Sequence, residues 1–180
     1  MDIPIIITPD TFEDFRGFLS VTFDATTSSD LDFQIYQINQ GYSKNKFILR
    51  GLHFQAHPHA QAKLVSCLHG SIYNVAVDIR PDSPTFGSYY AEVLSFENRK
   101  MMYIPKGFAH GYLTLEDDTF MQWCVDEDFC ADATRCLQFD DADIVSETGE
   151  KGIQWPCNLA EAIISEKDRN GMTLRKIREK

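Results

Sequence analysis

Nowhere in the 180 residues is there an apolar run of about 18, so no membrane-spanning helix is expected. The start, Met1-Asp2-Ile3-Pro4, has neither the charged nor the apolar region of a secretory signal, and a cytoplasmic location is expected. Cysteine pairing is also missing: Cys67, Cys124, Cys130, Cys136 and Cys157 are odd in number and never spaced Cys-x-x-Cys. This argues against a disulfide framework or a zinc ribbon and for reduced thiols, with Cys67 and Cys124 packed in strands. Positive charge is scarce. Lys and Arg total 17 against 27 Asp and Glu, a formal net charge of -10, which argues against binding nucleic acid or an anionic membrane surface. An anionic ligand would need a local basic pocket.

Helical periodicity is absent from residues 4 to 125. Instead, short runs rich in Ile, Val, Tyr, Phe and Thr are separated by Gly, Pro, Asn and Asp, the pattern of an antiparallel all-β sandwich or barrel. Strands are expected near 4–8, 17–23, 33–39, 47–55, 62–68, 71–79, 88–95, 100–104, 109–115 and 119–126, all within one domain spanning 1–180. Between 71 and 80 one face carries Tyr73, Val75, Val77 and Ile79, and the other Ile72, Asn74, Ala76, Asp78 and Arg80. The second face reads first as solvent-exposed, with a polar lumen as the alternative. Residues 126–150 hold nine acidic residues against the single base Arg135, and read as a long surface excursion. Ser165-Glu166-Lys167-Asp168 followed by Asn170-Gly171 has the spacing of a capped helical turn with a glycine stop.

The most informative stretch is Leu49-Arg50-Gly51-Leu52-His53-Phe54-Gln55, with Lys63 ten residues after His53 in Gln61-Ala62-Lys63-Leu64-Val65. An imidazole and an ammonium on neighbouring strands can remove a proton beside a carbonyl and stabilise the enolate that results. Histidine suits the base because its ordinary pKa of about 6.5 lies near working pH. His53 and Gln55 share a strand face, as do Gln61 and Lys63, which a ligand site in a barrel mouth requires.

Together with Asp14-Phe15-Arg16-Gly17, Gln37, Asn39, Val75 to Arg80, Ser83 to Gly87, Leu94-Ser95, Ile104 to Gly111, Trp155 and Ser165 to Asp168, these motifs resemble the dTDP-4-dehydrorhamnose 3,5-epimerases over nearly the whole chain. The resemblance implies a cupin-like jelly-roll β-barrel with a short C-terminal helical segment. It also implies a cofactor-independent isomerase that epimerises a nucleotide-diphosphate 4-keto-6-deoxy sugar, and a homodimer in which the N-terminal strand and Arg16 reach the neighbouring site. On this reading His53 is the base, Asp168 its carboxylate partner, and Lys63 faces the enolate oxygen. By spacing alone Asp168 would be only a helix-capping acid. Arg16 and Arg50 are the expected diphosphate ligands. Gln37, Asn39, Gln55 and Phe129 join the substrate site, and Asp78 and His110 are expected in the lumen in a supporting role.

The chain departs from the family in two places. Trp123 and Phe129 fall where relatives carry the two tyrosines of a Tyr-x-x-x-x-x-Tyr-x-Pro segment, so the protonation step is either impaired or taken over by another group, with Tyr73, Tyr103, Tyr112 or water as candidates. Leu19 and Val21 replace an aromatic and a glutamate used in nucleotide recognition, which opens the choice of nucleotide. The alternatives are a 3-epimerase, a 4-keto sugar isomerase, or a non-catalytic sugar-nucleotide-binding cupin. A metal cupin built on His57, His59 and His110 is a further rival, but no glutamate follows His59 at four residues and Lys63 would oppose a cation.

Overall fold

The structure, a computed structural model, describes residues 3–179; Met1, Asp2 and Lys180, which the expected domain included, lie outside the described residues. The strands are β1 (Ile5–Ile7), β2 (Thr11–Asp14), β3 (Gly17–Ser20), β4 (Gln37–Ser43), β5 (Ile48–Gln55), β6 (Lys63–His69), β7 (Ser71–Asp78), β8 (Tyr89–Ser95), β9 (Met101–Ile104), β10 (Phe108–Thr114), β11 (Thr119–Val125), β12 (Thr134–Cys136) and β13 (Ile163–Ile164). Three short helices are α1 (Ala25–Leu31), α2 (Glu166–Arg169) and α3 (Leu174–Arg178). One sheet runs β1-β9-β6-β11-β4, and the other runs β12-β5-β10-β7-β8 with β13 added parallel to β5. Their main ladders are antiparallel, and the two sheets face each other as the cupin-like jelly roll that the family resemblance implies. β2 and β3 form a separate hairpin.

Side chains from both sheets fill one end of the interior: Val65, Ile72, Ala76, Leu94, Met102, Ile104, Phe108 and Met121. The second face of β7 is therefore interior, and the solvent reading is corrected. Its opposite face is covered too, because Val75 and Val77 pack with Leu137, Phe139, Ile144, Trp155, Leu174 and Ile177 from the C-terminal third of the chain. The outer face of the other sheet is closed by Ile5, Ile7, Phe23, Leu31 and Phe33. Strands buried on both faces lose the in-out alternation of a half-solvated sheet.

Several local expectations are corrected. Residues 126–150 are not wholly a surface excursion: β12 pairs with β5, while Leu137, Phe139 and Ile144 are buried and the acidic residues between them are mostly outside. The strand expected at 33–39 starts at Gln37 because α1 precedes it, its N-terminus capped by Asp24 accepting from the Thr27 N–H. The hairpin strand β2 and the helix α3 beyond Gly171 were not anticipated. Cys67 and Cys124 are buried in β6 and β11 as expected.

Candidate active site

The unfilled end of the barrel is a cavity of about 330 Å³ that gathers Gln37 and Asn39 from β4, Arg50, His53 and Gln55 from β5, Lys63 from β6, His110 and Tyr112 from β10, and Met121 and Trp123 from β11. Gln61, Phe129, Thr134 and Lys167 complete the mouth. Of the expected site residues, all but Asp168, Asp78 and Arg16 line this cavity directly.

Asp168 stands behind His53. Its Oδ1 lies 2.6 Å from His53 Nε2, and its Oδ2 accepts from the Gly51 N–H at 3.3 Å. Ser165 caps α2 by accepting from the Asp168 N–H, so the capping signal is real and also aims the carboxylate. Burial pushes the Asp168 carboxyl up, but bonds from His53, the Gly51 N–H and Ser165 outweigh this and hold it below its ordinary value. An ionised Asp168 requires Nε2 to carry the proton, leaving the Nδ1 lone pair of His53 for a substrate.

Gly51 explains why the Arg-Gly-x-His spacing matters. At φ +114° a β-carbon there would come within 2.7 Å of Gly111 Cα and of the His110 carbonyl oxygen. Two facing glycines let β5 and β10 approach closely where their register shifts, with His53 opposite His110.

Lys63 is 8% exposed, and burial lowers its ammonium to about 8. Its Nζ donates to the His53 carbonyl oxygen at 3.4 Å. His110 Nε2 is 2.8 Å from Asn74 Oδ1, and burial, then the charges of Lys63 and His53, depress its pKa well below the ordinary histidine value, so it is neutral. Gln55 bridges the carbonyls of His59 and Asp128 and accepts from the Cys130 N–H, fixing the segment that presents Phe129. Gln37 donates to Asn39 Oδ1, and Arg50 donates to Ser43 Oγ and to the Tyr42 carbonyl, each at 3.4 Å.

One placement is corrected. Asp78 is fully buried but outside the cavity, where it accepts from Arg80, Ser83 and Thr85 and ties the turn after β7; it touches no catalytic group. Within one chain Arg16 does not reach the cavity either: it lies at the β2–β3 turn with its side chain 75% exposed and paired with Asp14. Its strand pairing is only internal, and it rests on its own barrel through the Glu13–Arg99 ion pair at 2.9 Å and the Phe18–Phe96 ring contact, at residues that do not line the cavity.

Thr134 and Lys167 went unnoticed as site residues, the first hidden in the acidic segment and the second masked by the capping motif. Among the described residues, one group could offer three metal-ligating atoms, within 4.8 Å of each other: His53, Cys136 and Asp168. Burial pushes the Cys136 thiol up to about 11, so it keeps its proton at neutral pH. His57 is exposed, and neither it nor His59 lines the cavity with His110, so the metal-cupin trio is not assembled.

A jelly-roll pocket that holds a buried lysine and a histidine backed by a carboxylate has the groups needed to take a proton from carbon and to stabilise the negative charge that develops. Comparison narrows that chemistry. The model of the dTDP-4-dehydrorhamnose 3,5-epimerase family matches residues 2–176. A dTDP-4-dehydrorhamnose 3,5-epimerase of Methanothermobacter thermautotrophicus is 39% identical, covering 97% of this chain and 91% of its own. The crystal structure of a dTDP-6-deoxy-D-glucose-3,5-epimerase from Legionella pneumophila in complex with dTDP-4-keto-L-rhamnose is similar at TM-score 0.87 and 34% identity, over 97% of this chain and 89% of that one. A histidine-and-tyrosine double mutant of a 3'-monoepimerase from Streptomyces bikiniensis, in complex with dTDP, is similar at TM-score 0.88 and 26% identity, over 99% and 88%. The chain belongs to the dTDP-4-dehydrorhamnose 3,5-epimerase family. It is an isomerase, an epimerase of a nucleotide-activated 4-keto-6-deoxy sugar.

Proposed function

We propose that His53, held by Asp168, removes a proton from a carbon next to the C4 ketone of a nucleotide-diphosphate 4-keto-6-deoxy sugar, while Lys63 stabilises the enolate oxygen. The supporting observation is that His53 shares the cavity with the buried Lys63 and is held from behind, at 2.6 Å, by a buried, ionised Asp168. A pure binding protein has no use for a buried ammonium and an oriented imidazole together, since each costs desolvation without being needed to hold a sugar. Arg50, at the cavity edge, is the diphosphate ligand supplied by the same chain, and Gln37, Asn39 and Gln55 hold sugar or base. Phe129, 62% exposed at the cavity rim, covers the bound substrate on this reading. His110 stays neutral and positions groups rather than carrying charge.

The whole chain acts as one domain in the cytoplasm, without a cofactor, and as a two-fold homodimer. β4 is an edge strand whose polar Gln37 and Asn39 point into the cavity while Ile38 and Tyr42 face outward. Phe12, Phe15 and Leu19 on the β2–β3 hairpin are exposed as well. An inverted edge strand beside an apolar hairpin is a surface that a second copy would cover, and the partner's Arg16 would then complete the diphosphate site. One-carbon epimerisation, at C3 alone, is the alternative favoured by the absence of a tyrosine at positions 123 and 129. The direct test is conversion of dTDP-4-keto-6-deoxyglucose followed by NMR: His53→Ala should lose on the order of 10³-fold or more in kcat, as removal of a general base does. A fully active His53→Ala would refute the base assignment.

A further inference from the structure

Epimerisation takes a proton from one face of a carbon and returns one to the other, so a donor must stand across the pocket from His53. Trp123 occupies that wall, on β11 of the opposite sheet. The histidine and tyrosine replaced in the Streptomyces bikiniensis mutant are as far apart in sequence as His53 and Trp123. An indole N–H is too weak an acid for the task, and the phenyl ring of Phe129 has no proton to give.

The chain has seven tyrosines that could give a proton instead. Tyr73 packs on Trp155 outside the barrel, and Tyr103 on Phe33 beneath the other sheet. The Tyr42 hydroxyl bonds Asp118, Tyr89 accepts from the Gln154 N–H, Tyr90 packs on Phe108, and Tyr36 is exposed. Tyr112 alone lines the cavity.

Its position is more specific than that. Tyr112 arises from β10, next to the strand of His53, yet its ring crosses the lumen. A β-carbon built on Gly41 of β4 would lie 3.7 Å from the Tyr112 hydroxyl and 3.3 Å from the Trp123 ring. The phenol thus ends beside Trp123, on the wall opposite His53. Ser43 of β4 hydrogen-bonds the Tyr112 oxygen and itself accepts from Arg50 Nε at 3.4 Å. With Ser43 as donor, the phenol keeps its own proton to give.

We propose that Tyr112 is the proton donor opposite His53, taking over the role of the missing tyrosine; this rests on the epimerase reading above. His53 Nδ1 takes the proton from carbon, the C–H electron pair becomes the enolate double bond, and the carbonyl pair moves onto oxygen beside Lys63. Those pairs then return and the carbon takes the Tyr112 proton on its other face. The phenolate left behind is stabilised by Ser43 and Arg50 until water reprotonates it, and His53 gives its proton to water. Burial raises the Tyr112 hydroxyl above its ordinary pKa against the opposing pull of Arg50 and Ser43, so the donor is fully protonated at neutral pH.

The test is Tyr112→Phe, with dTDP-4-keto-6-deoxyglucose in deuterated water, scoring epimerised product and deuterium in unreacted substrate separately. The expected result is KM within about threefold of wild type, epimerisation down on the order of 10²-fold or more, and continued exchange of substrate, because His53 still removes and returns a proton on its own face. A Tyr112→Phe/Trp123→Tyr double variant, which restores a phenol to that wall, should regain product. Undiminished epimerisation by Tyr112→Phe overturns the proposal and leaves the epimerase reading standing. Parallel loss of exchange and product also overturns it, since that is a structural defect. No exchange or turnover by wild type overturns both.

Discussion

Replacing Lys63 by Met should make the protein more stable and inactive at once. The ammonium, 8% exposed, falls from an ordinary value of 10.5 to about 8 because burial disfavours its charge. Below pH 8 the group is charged in both folded and unfolded chains, and the full cost of burying that charge is present. That cost is about 3 kcal/mol, from 1.36 kcal/mol per pKa unit. Between pH 8 and 10.5 the folded protein has released the proton while the unfolded chain retains it, so the cost fades as pH rises, and above 10.5 it is gone. Lys63→Met keeps most of the aliphatic stem and loses only the 3.4 Å bond to the His53 carbonyl. Urea unfolding at pH 7 should therefore show a gain of up to about 3 kcal/mol, shrinking toward zero by pH 10. Epimerase activity of the same variant should fall on the order of 10²-fold or more, as expected for loss of an enolate-stabilising charge. Wild-type activity should also decline above about pH 8, where Lys63 loses its charge. Lower stability of Lys63→Met at pH 7, or retained activity, would refute the reasoning.

Asp168→Asn should keep the fold yet lower kcat by about 10²- to 10⁴-fold, because an amide no longer fixes the His53 tautomer; steady-state kinetics with circular dichroism separates the two effects. Asp78→Asn should behave in the opposite way. It removes the buried charge that ties Arg80, Ser83 and Thr85, costing on the order of 3 kcal/mol by urea unfolding while KM stays near wild type. Mixing inactive Arg16→Ala and His53→Ala homodimers should restore about a quarter of wild-type activity if the partner's Arg16 completes each site, since one site in each heterodimer is then intact. Incubation with a chelator should leave kcat unchanged, whereas a metal-dependent enzyme would lose activity in the same assay.

The sequence made the strands and the catalytic neighbourhood legible because both depend on local signals: β-rich runs between turn formers, and the Arg50-Gly51-x-His53 and Gln61-x-Lys63 spacings. What it concealed depends on tertiary layering. β7 looked half-solvated, yet Val75 and Val77 are covered by a C-terminal segment whose acidic composition suggested exposure. β4 is inverted, with Gln37 and Asn39 facing the cavity while Ile38 and Tyr42 face outward. The resemblance puts Asp78 in the lumen, but at the end of its strand a turn captures it. Asp168 was ambiguous since its capping geometry and its bond to His53 coexist. The position of the Tyr112 hydroxyl could not be read at all, because it depends on a ring crossing between sheets to a glycine 71 positions earlier in the chain.

The central claim is that His53 removes a proton beside the ketone. The most direct test incubates wild type and His53→Ala with dTDP-4-keto-6-deoxyglucose in deuterated water and reads C3 and C5 by NMR and mass spectrometry. The account predicts deuterium next to the ketone with wild type and none with His53→Ala, with label at both carbons marking 3,5-epimerisation and label at C3 alone marking a 3-epimerase. Equal labelling by His53→Ala, or none by wild type, would contradict it.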